Sequence, residues 1–343
     1  MKHMKHRRDV LRTLRTLGYA AAIASLFQAI DPEEQERVAS VISRPSRVDA
    51  VTIEHIEAIL WRCQRQEDAL GPQAVLDTVL AQRNLVKMLL RDCPDPLRPR
   101  MLSVLSSASR HAGWLSFDLN EFDSAWYFYE DARALAHEAG NVELGAFVLC
   151  NMSHLATWQR KPRIGIDHAV AAGEWAKRTD DVPVRAFAAD VAARAYAADG
   201  QSASCMTALD TAETALAMIG DRQPGYVYFY DQGLHTSTRC LCHLELHEPQ
   251  RAVGYAERSL KSGDRTCARR VGLTAVYLGT ARMQSKDVDE AARLLGVAGE
   301  IAAGNSSARL IKQLQQARAG LQPWQETSAV RTLDDRLVAY GLA

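Results

Sequence analysis

The sequence predicts an all-α fold, a tetratricopeptide-like right-handed solenoid built from helical hairpins. Hydrophobic residues make up 47% of the 343 residues but aromatic residues only 7%. Alanine dominates the apolar fraction, which favours closely packed helices. From residue 50 onward, apolar residues follow a helical period. Pairs of small residues also recur at a nearly constant interval, which is typical of repeat proteins.

The N-terminal part, residues 1–48, is predicted to form a basic helix and linker ahead of a repeat domain over 49–343. Its segment HRRDVLRTLRTLGYAAAIASL (6–26) places paired arginines before an apolar stretch, as a twin-arginine export signal does. Arg12 and Arg15 interrupt that stretch. We therefore favour a basic amphipathic helix that ends in an alanine-rich packing face.

Two helices are predicted to open the repeat domain. Thr52 is placed to cap a helix over 53–70, which Gly71 and Pro72 end. A second helix is predicted over 73–90, before a proline-rich break at 92–99.

Beyond this break, two small residues seven positions apart recur on the second helix of each predicted hairpin. The first members of successive pairs are separated by 40, 40, 47 and 39 residues. Residues seven apart lie on one helix face, so a neighbouring helix can approach closely there. The pairs are Ala125 and Ala132, Gly165 and Ala172, Cys205 and Ala212, Ala252 and Ser259, and Ala291 and Ala298. A sixth hairpin is predicted over 306–341.

The segment HTSTRCLCHLELHEPQRA (235–252) has two cysteines and two histidines within eight residues, the density of a metal site. On a helix, Cys240, His243 and His247 fall within about 60° of one another, which leaves a three-ligand site open. Cys240, however, takes the place of Gly113 and Gly279 in the repeat, where a small residue is needed for packing. We therefore favour packing over a metal site.

Several other classes of protein are disfavoured. Lys+Arg and Asp+Glu both number 41, so no net charge attracts nucleic acid, and we expect no specific DNA binding by this chain alone. No run of 18 apolar residues predicts a membrane span. The seven scattered cysteines, without CxxC, predict a reduced cytoplasmic protein. Nucleotide-binding, metalloprotease and serine-hydrolase motifs are absent, so we predict neither an enzyme nor a cofactor.

A ligand-binding face is predicted on the first helices of the hairpins. Positions 15, 11 and 7 residues before each first small residue share one face of these helices. In the fourth hairpin, which has seven extra residues, Asp231, His235 and Thr238 are predicted to lie nearest to that face. Nine residues on or beside the face are the candidates for binding a small molecule or peptide: Arg110, Trp114, Asn151, His154, Trp158, Asp190, Arg194, Asp231 and His235.

Each candidate also has a structural interpretation. Asp190 and Arg194 have the i, i+4 spacing of a surface ion pair, and Trp114 and Trp158 fit a core. The aromatic runs WYFY (126–129) and YVYFY (226–230) are predicted on helices, mainly for packing between repeats. Exposed members of these runs would contact a protein partner or a second copy in a homodimer.

Longer strings resemble one known family. They are HRRDVLRTL, PSRVDAVTIEHIEAILWRC, LGPQAVLDTVLAQ, RPRMLSVLSSASRHAGWLSFDL, NMSHLATW, VAARAYAADGQ and YFYDQGLHTSTR. These segments resemble the C-terminal part of actinobacterial (Streptomyces-type) transcriptional regulators, which have an N-terminal XRE-type helix-turn-helix domain followed by a tetratricopeptide sensor region. The helix-turn-helix domain would precede HRRDVL, so its DNA binding is not carried over.

The resemblance implies a regulatory tetratricopeptide-repeat protein that senses a ligand or peptide and controls transcription or secondary metabolism. Two alternatives remain from the sequence. The first is a stand-alone scaffold whose groove holds a protein partner. The second, less favoured, is an enzyme built in the same groove.

Overall fold

A computed structural model of the chain describes residues 48–219, 225–262 and 266–342. Fourteen α-helices and no strand lie within these ranges, so the predicted all-α fold is confirmed. None of these helices combines the length and the apolar character that crossing a membrane requires. The basic helix predicted in residues 1–48 falls outside the described ranges, apart from residue 48.

The described residues divide into two compact units. The first unit comprises 48–67, 72–116 and 123–141. The second comprises 68–71, 117–122 and everything described from 142 onward.

The first unit contains two helical hairpins, whose helices bury aliphatic side chains such as Ile53, Val79 and Leu105. Asp49 caps the first helix, since its Oδ1 accepts the Thr52 N–H at 2.8 Å. The prediction of Thr52 as the cap was wrong, and the helix starts three residues earlier than expected. The helices are α1 (Ala50–Leu70), α2 (Leu76–Leu89), α3 (Arg98–Asp118) and α4 (Phe122–Glu138).

The second unit is a stack of five hairpins. Each first helix contacts the first helix of the next hairpin, and each of the first four hairpins also places its second helix against that next first helix. The hairpins are α5 (Val142–Trp158) with α6 (Pro162–Ala176), α7 (Val182–Ala198) with α8 (Ser202–Ala217), α9 (Gln232–Glu245) with α10 (Pro249–Ser262), α11 (Ala268–Gln284) with α12 (Val288–Asn305), and α13 (Ala308–Gly320) with α14 (Ser328–Ala339). The predicted sixth hairpin is therefore present.

The paired small residues pack as predicted, because all ten are buried. A Cβ added at Gly165 would lie 2.3 Å from Thr157 Oγ1, which leaves no room for a larger residue. In the first unit, a Cβ added at Gly113 would lie 2.6 Å from the Tyr129 ring. Small residues are therefore required where the two helices of a hairpin meet.

The five hairpins that carry a pair of small residues are α3–α4 and the first four of the second unit. Each turns through a residue in the left-handed conformation, five positions before its first small residue. These residues are Asn120, Arg160, Gly200, His247 and Lys286, with φ between 59° and 74°. In the last four of these turns, the residue after the left-handed residue donates its N–H to the carbonyl five residues before it, at 2.8 to 3.0 Å. This bond satisfies a carbonyl at the end of the first helix. Only one of the five is glycine, so the sequence does not reveal this conformation.

The fourth hairpin keeps the same phase as the others. His247 takes the left-handed position five residues before Ala252, so the extra residues lie between α8 and α9 and not within α9. The inner positions of α9 are therefore Ser237, Leu241 and Glu245. The placement of Asp231, His235 and Thr238 nearest the inner face was wrong for this reason.

The aromatic run 226–230 forms a turn before α9 and not a helix. Phe229 lies 5.8 Å from Phe147 of α5 and 5.3 Å from Phe187 of α7, measured between ring centroids. Val227 and Tyr230 are buried. This run packs between repeats, as favoured, although its conformation was mispredicted.

Candidate ligand-binding site

The first helices of the second unit bring a group of cationic and aromatic side chains together. His154 and Trp158 lie on α5, Arg194 on α7 and Tyr277 on α11, while Arg309 begins α13. Both Arg194 and Arg309 act electrostatically on His154 and on Tyr277. We call these five residues the inner cluster.

Arg309 is held by a buried carboxylate and two aromatic rings. Asp118, fully buried, accepts hydrogen bonds from Arg309 Nε at 3.1 Å and from Arg269 Nη1 at 3.1 Å. The Arg309 guanidinium carbon lies 4.4 Å from the Phe117 ring centroid and 5.7 Å from that of Trp158. These contacts fix the guanidinium in place, which reduces the entropy lost when it binds an anion.

Arg194 is held by a second buried carboxylate. Its Nη2 lies 3.4 Å from Asp190 Oδ2, so the predicted pair forms. Its Nε donates at 3.0 Å to the Thr238 hydroxyl, which in turn donates to Asp190 Oδ2 at 2.7 Å. The Arg194 side chain keeps 17% exposure, and no hydrogen bond joins its Nη1 to the described residues. Arg194 can therefore present this nitrogen to a ligand.

Asp190 and His235 form a buried pair behind the inner cluster. The other oxygen of Asp190 accepts from the Tyr230 hydroxyl at 3.1 Å and faces His235 Nδ1 at 2.9 Å. His235 Nε2 accepts from Arg239 Nε at 3.1 Å. Because Nε2 accepts a hydrogen bond, the imidazole proton resides on Nδ1 and is donated to Asp190. Asp190 thus accepts hydrogen bonds from three side chains, those of Tyr230, His235 and Thr238, and forms an ion pair with Arg194.

Burial shifts the pKa values of two side chains in the inner cluster. Burial lowers the pKa of His154 well below its usual value, with further lowering by the Arg194 and Arg309 guanidiniums. Burial raises the pKa of Tyr277, although the same two arginines oppose that shift. Both side chains are therefore neutral at neutral pH, and the arginines carry the charge of this surface.

The depressed pKa of His154 predicts a pH dependence of stability. Below about pH 6.5 this histidine is protonated in the unfolded chain but stays neutral in the folded protein. The unfolding free energy therefore falls as pH falls, by at most about 1.4 kcal/mol per pH unit. Replacing His154 with glutamine should flatten this slope between about pH 7 and pH 5. Urea denaturation of both proteins across that range measures the difference. Parallel pH profiles would contradict the assignment.

The nine candidate residues have different positions in the structure. His154, Trp158 and Arg194 belong to the inner cluster. Asp190 and His235 are fully buried, so they support this surface and do not line it. Asn151 is also buried, with 2% exposure.

Two of the three remaining candidates, Asp231 and Arg110, also depart from the predicted face. Asp231 caps α9, accepting the Leu234 N–H at 2.7 Å, and pairs with Arg270 at 3.2 Å. Arg110 is buried in the first unit, where Trp114 is half-buried. The prediction that all nine residues line one continuous surface was therefore wrong, because successive first helices bury more of their polar side chains than the repeat frame suggested.

Sequence reasoning missed two members of the inner cluster. Tyr277 lies one residue beyond the predicted row of positions, and Arg309 lies in the sixth hairpin, for which no inner positions were predicted. The positions 15, 11 and 7 residues before each first small residue exclude Tyr277. Including one neighbouring residue at each position would have added Tyr277 to the candidates.

The residues of the metal alternative have other contacts. Cys240 packs in an apolar cluster with Leu244 and Ala252. His243 Nδ1 lies 2.7 Å from Glu248 Oε2, and its ring stacks on Tyr255. His247 forms the left-handed turn. Within the described part of the chain, no three histidine, cysteine or acidic side chains are grouped to hold a metal ion.

Comparison with known proteins supports the fold. No family model and no curated protein matches the chain. Among solved structures, it resembles a Rap protein complexed with competence and sporulation factor, with a TM-score of 0.55 and 12% identity, covering 84% of this chain and 88% of the other. BtubC (BKLC) from P. vanneervenii matches with a TM-score of 0.47 and 14% identity, over 68% of this chain and 91% of the other. The fold and the Rap likeness define an all-α helical-repeat protein.

Proposed function

We propose that this chain is a regulatory helical-repeat protein that binds a peptide carrying an acidic group at the inner cluster. The observation that carries the proposal is Arg194, whose side chain keeps 17% exposure and whose Nη1 makes no hydrogen bond to the described residues. The guanidinium of Arg309, buried at 6% exposure against the Trp158 ring, adds positive charge to the same cluster. Aromatic area with a few positioned polar groups is the usual make-up of a ligand site. Guanidinium groups add recognition of carboxylates.

A peptide fits this surface better than a purely apolar ligand. Arg194 and Arg309 are each anchored from behind by a buried carboxylate, Asp190 and Asp118 respectively. Such anchoring keeps the side chains in place before binding, so less entropy is lost when a carboxylate arrives. The Rap protein of similar fold was solved in complex with competence and sporulation factor. That complex supports a sensing role for this fold without specifying the ligand here.

The regulatory role is part of the same proposal. The resemblance of several strings to tetratricopeptide transcriptional regulators favours control of transcription or secondary metabolism. We propose that this control operates in the cytoplasm, without catalysis, through binding alone. Free thiols at all seven cysteines agree with a reducing compartment.

Replacing Arg194 with glutamine should weaken binding of an acidic peptide by about tenfold or more, because a charge-assisted hydrogen bond contributes about 1.5–3 kcal/mol. We would measure it by fluorescence anisotropy with pooled short peptides, each made with a free and with an amidated C-terminus. The wild-type protein should prefer the free carboxylate, and the variant should lose that preference.

Arg185 provides the matched control, since it lies on the same helix and is exposed. Arg185→Gln should bind as the wild type does. Equal affinity of wild type and Arg194→Gln for the carboxylate peptides would refute the assignment of the site. Circular dichroism of each variant separates a loss of binding from a loss of fold.

A further inference from the structure

A pocket separate from the inner cluster lies among α8, α9 and α10 in the second unit. Its volume is about 380 Å³, within the range of small-molecule sites. Its lining includes three arginines, Arg239, Arg251 and Arg258, together with His243, Gly254 and Tyr255. We propose that this pocket is a second binding site, which takes a small phosphate-bearing anion.

Two arginines and a histidine of the pocket contact the Tyr255 ring. The His243 ring stacks on it, with centroids 5.2 Å apart and planes 11° from parallel. The Arg258 guanidinium carbon lies 4.4 Å from the ring centroid, and that of Arg239 lies 5.6 Å away. Two of the three arginines are thus held against one aromatic ring, where their orientation is restricted. Fixed guanidinium groups suit bidentate bonds to phosphate oxygens.

Two of these arginines already pair with carboxylates. Arg239, whose side chain is 11% exposed, donates through Nη2 to Asp210 at 3.0 Å and to Glu213 at 2.6 Å. Arg251 pairs with Glu248 at 3.3 Å, where the two side chains are 65% and 38% exposed. An exposed ion pair such as that of Arg251 with Glu248 is weak because water screens it. An anion with two or more charges can therefore compete for Arg251.

Gly254 leaves space in the pocket. It lies inside α10, where glycine weakens a helix relative to alanine. Its backbone does not have positive φ, and an added Cβ would meet only Arg258 Nη1, at 4.0 Å. Neither conformation nor close packing therefore requires glycine here. A side chain at this position would instead occupy the pocket, so glycine keeps it open.

The test is saturable binding of inorganic pyrophosphate, measured by calorimetry at about 0.15 M salt. We expect a Kd at or below about 1 mM for the wild type. Gly254→Leu should fill the pocket, and Arg258→Gln should remove one phosphate ligand. Each substitution should raise the Kd about tenfold or more.

Gly173→Leu is the matched control, because an added Cβ there also meets nothing within 4 Å and the residue lies outside the pocket. It should leave the Kd unchanged. No saturation up to about 10 mM pyrophosphate, or equal Kd values for wild type and Gly254→Leu, would overturn the proposal. A phosphoserine peptide tested in parallel distinguishes the source of the phosphate: tighter binding of the free anion assigns a metabolite, and tighter binding of the peptide overturns the small-molecule assignment.

Discussion

Replacing Asp190 with alanine should lower the unfolding free energy by about 3–5 kcal/mol, the loss expected when one partner of a buried charged network is removed. Asp190 is fully buried, accepts hydrogen bonds from Tyr230, His235 and Thr238, and forms an ion pair with Arg194. Without the carboxylate, the donors on His235 and Tyr230 lose their acceptor in an environment that water does not reach. Each unsatisfied buried donor costs about 1–3 kcal/mol.

Urea denaturation followed by circular dichroism measures this effect. Asp210→Ala is the matched control. Asp210, like Asp190, pairs with an arginine, in this case Arg239 of α9, but its side chain is 73% exposed. A surface pair of this kind contributes at most about 1 kcal/mol. Similar losses for the two variants would mean that the Asp190 network contributes little beyond a surface ion pair.

Gly71→Ala should have the second large effect, a loss of about 3 kcal/mol or more in the unfolding free energy. Gly71 has φ of 89°, a conformation that residues with a side chain rarely adopt. An added Cβ would also lie 1.7 Å from the Asn305 carbonyl oxygen, which is backbone and cannot move aside as a side chain would. Displacing this carbonyl would disturb the nearby bond from Asn305 Nδ2 to the Ala69 carbonyl.

Gly140→Ala separates the two contributions. Gly140 also has positive φ, 66°, but an added Cβ there meets nothing within 4 Å. This variant should lose only about 1 kcal/mol, from backbone strain alone. If thermal and urea unfolding show equal losses at the two positions, the close contact with Asn305 has no energetic consequence.

The repeat could be predicted because its packing depends on residue size at fixed spacing. Ala125, Gly165, Cys205, Ala252 and Ala291 are small for the same reason, close contact between paired helices, and size is visible in a sequence. The left-handed turns could not be predicted. Asn120, Arg160, His247 and Lys286 share no side-chain property, and the hydrogen bonds of the turn come from the backbone.

The binding surface was harder to predict because it depends on contacts between distant residues. Asp231 and His235 have the spacing of a helical pair, yet His235 instead bonds Asp190, 45 residues away. The error arose from the length of the fourth hairpin. The prediction placed the extra residues of this hairpin within α9, although they precede that helix. The predicted inner face of α9 was therefore rotated toward buried residues.

The position of these extra residues has a consequence for how the chain tolerates changes in length. Each turn fixes the phase of its two helices through backbone bonds five residues before the first small residue. An insertion inside a hairpin would break that phase. The segment between α8 and α9, in contrast, is longer than the segment between α6 and α7, and the hairpins on both sides of it keep their phase. Evolution can therefore lengthen this scaffold at the junctions between hairpins, where each added residue leaves the modules on both sides intact.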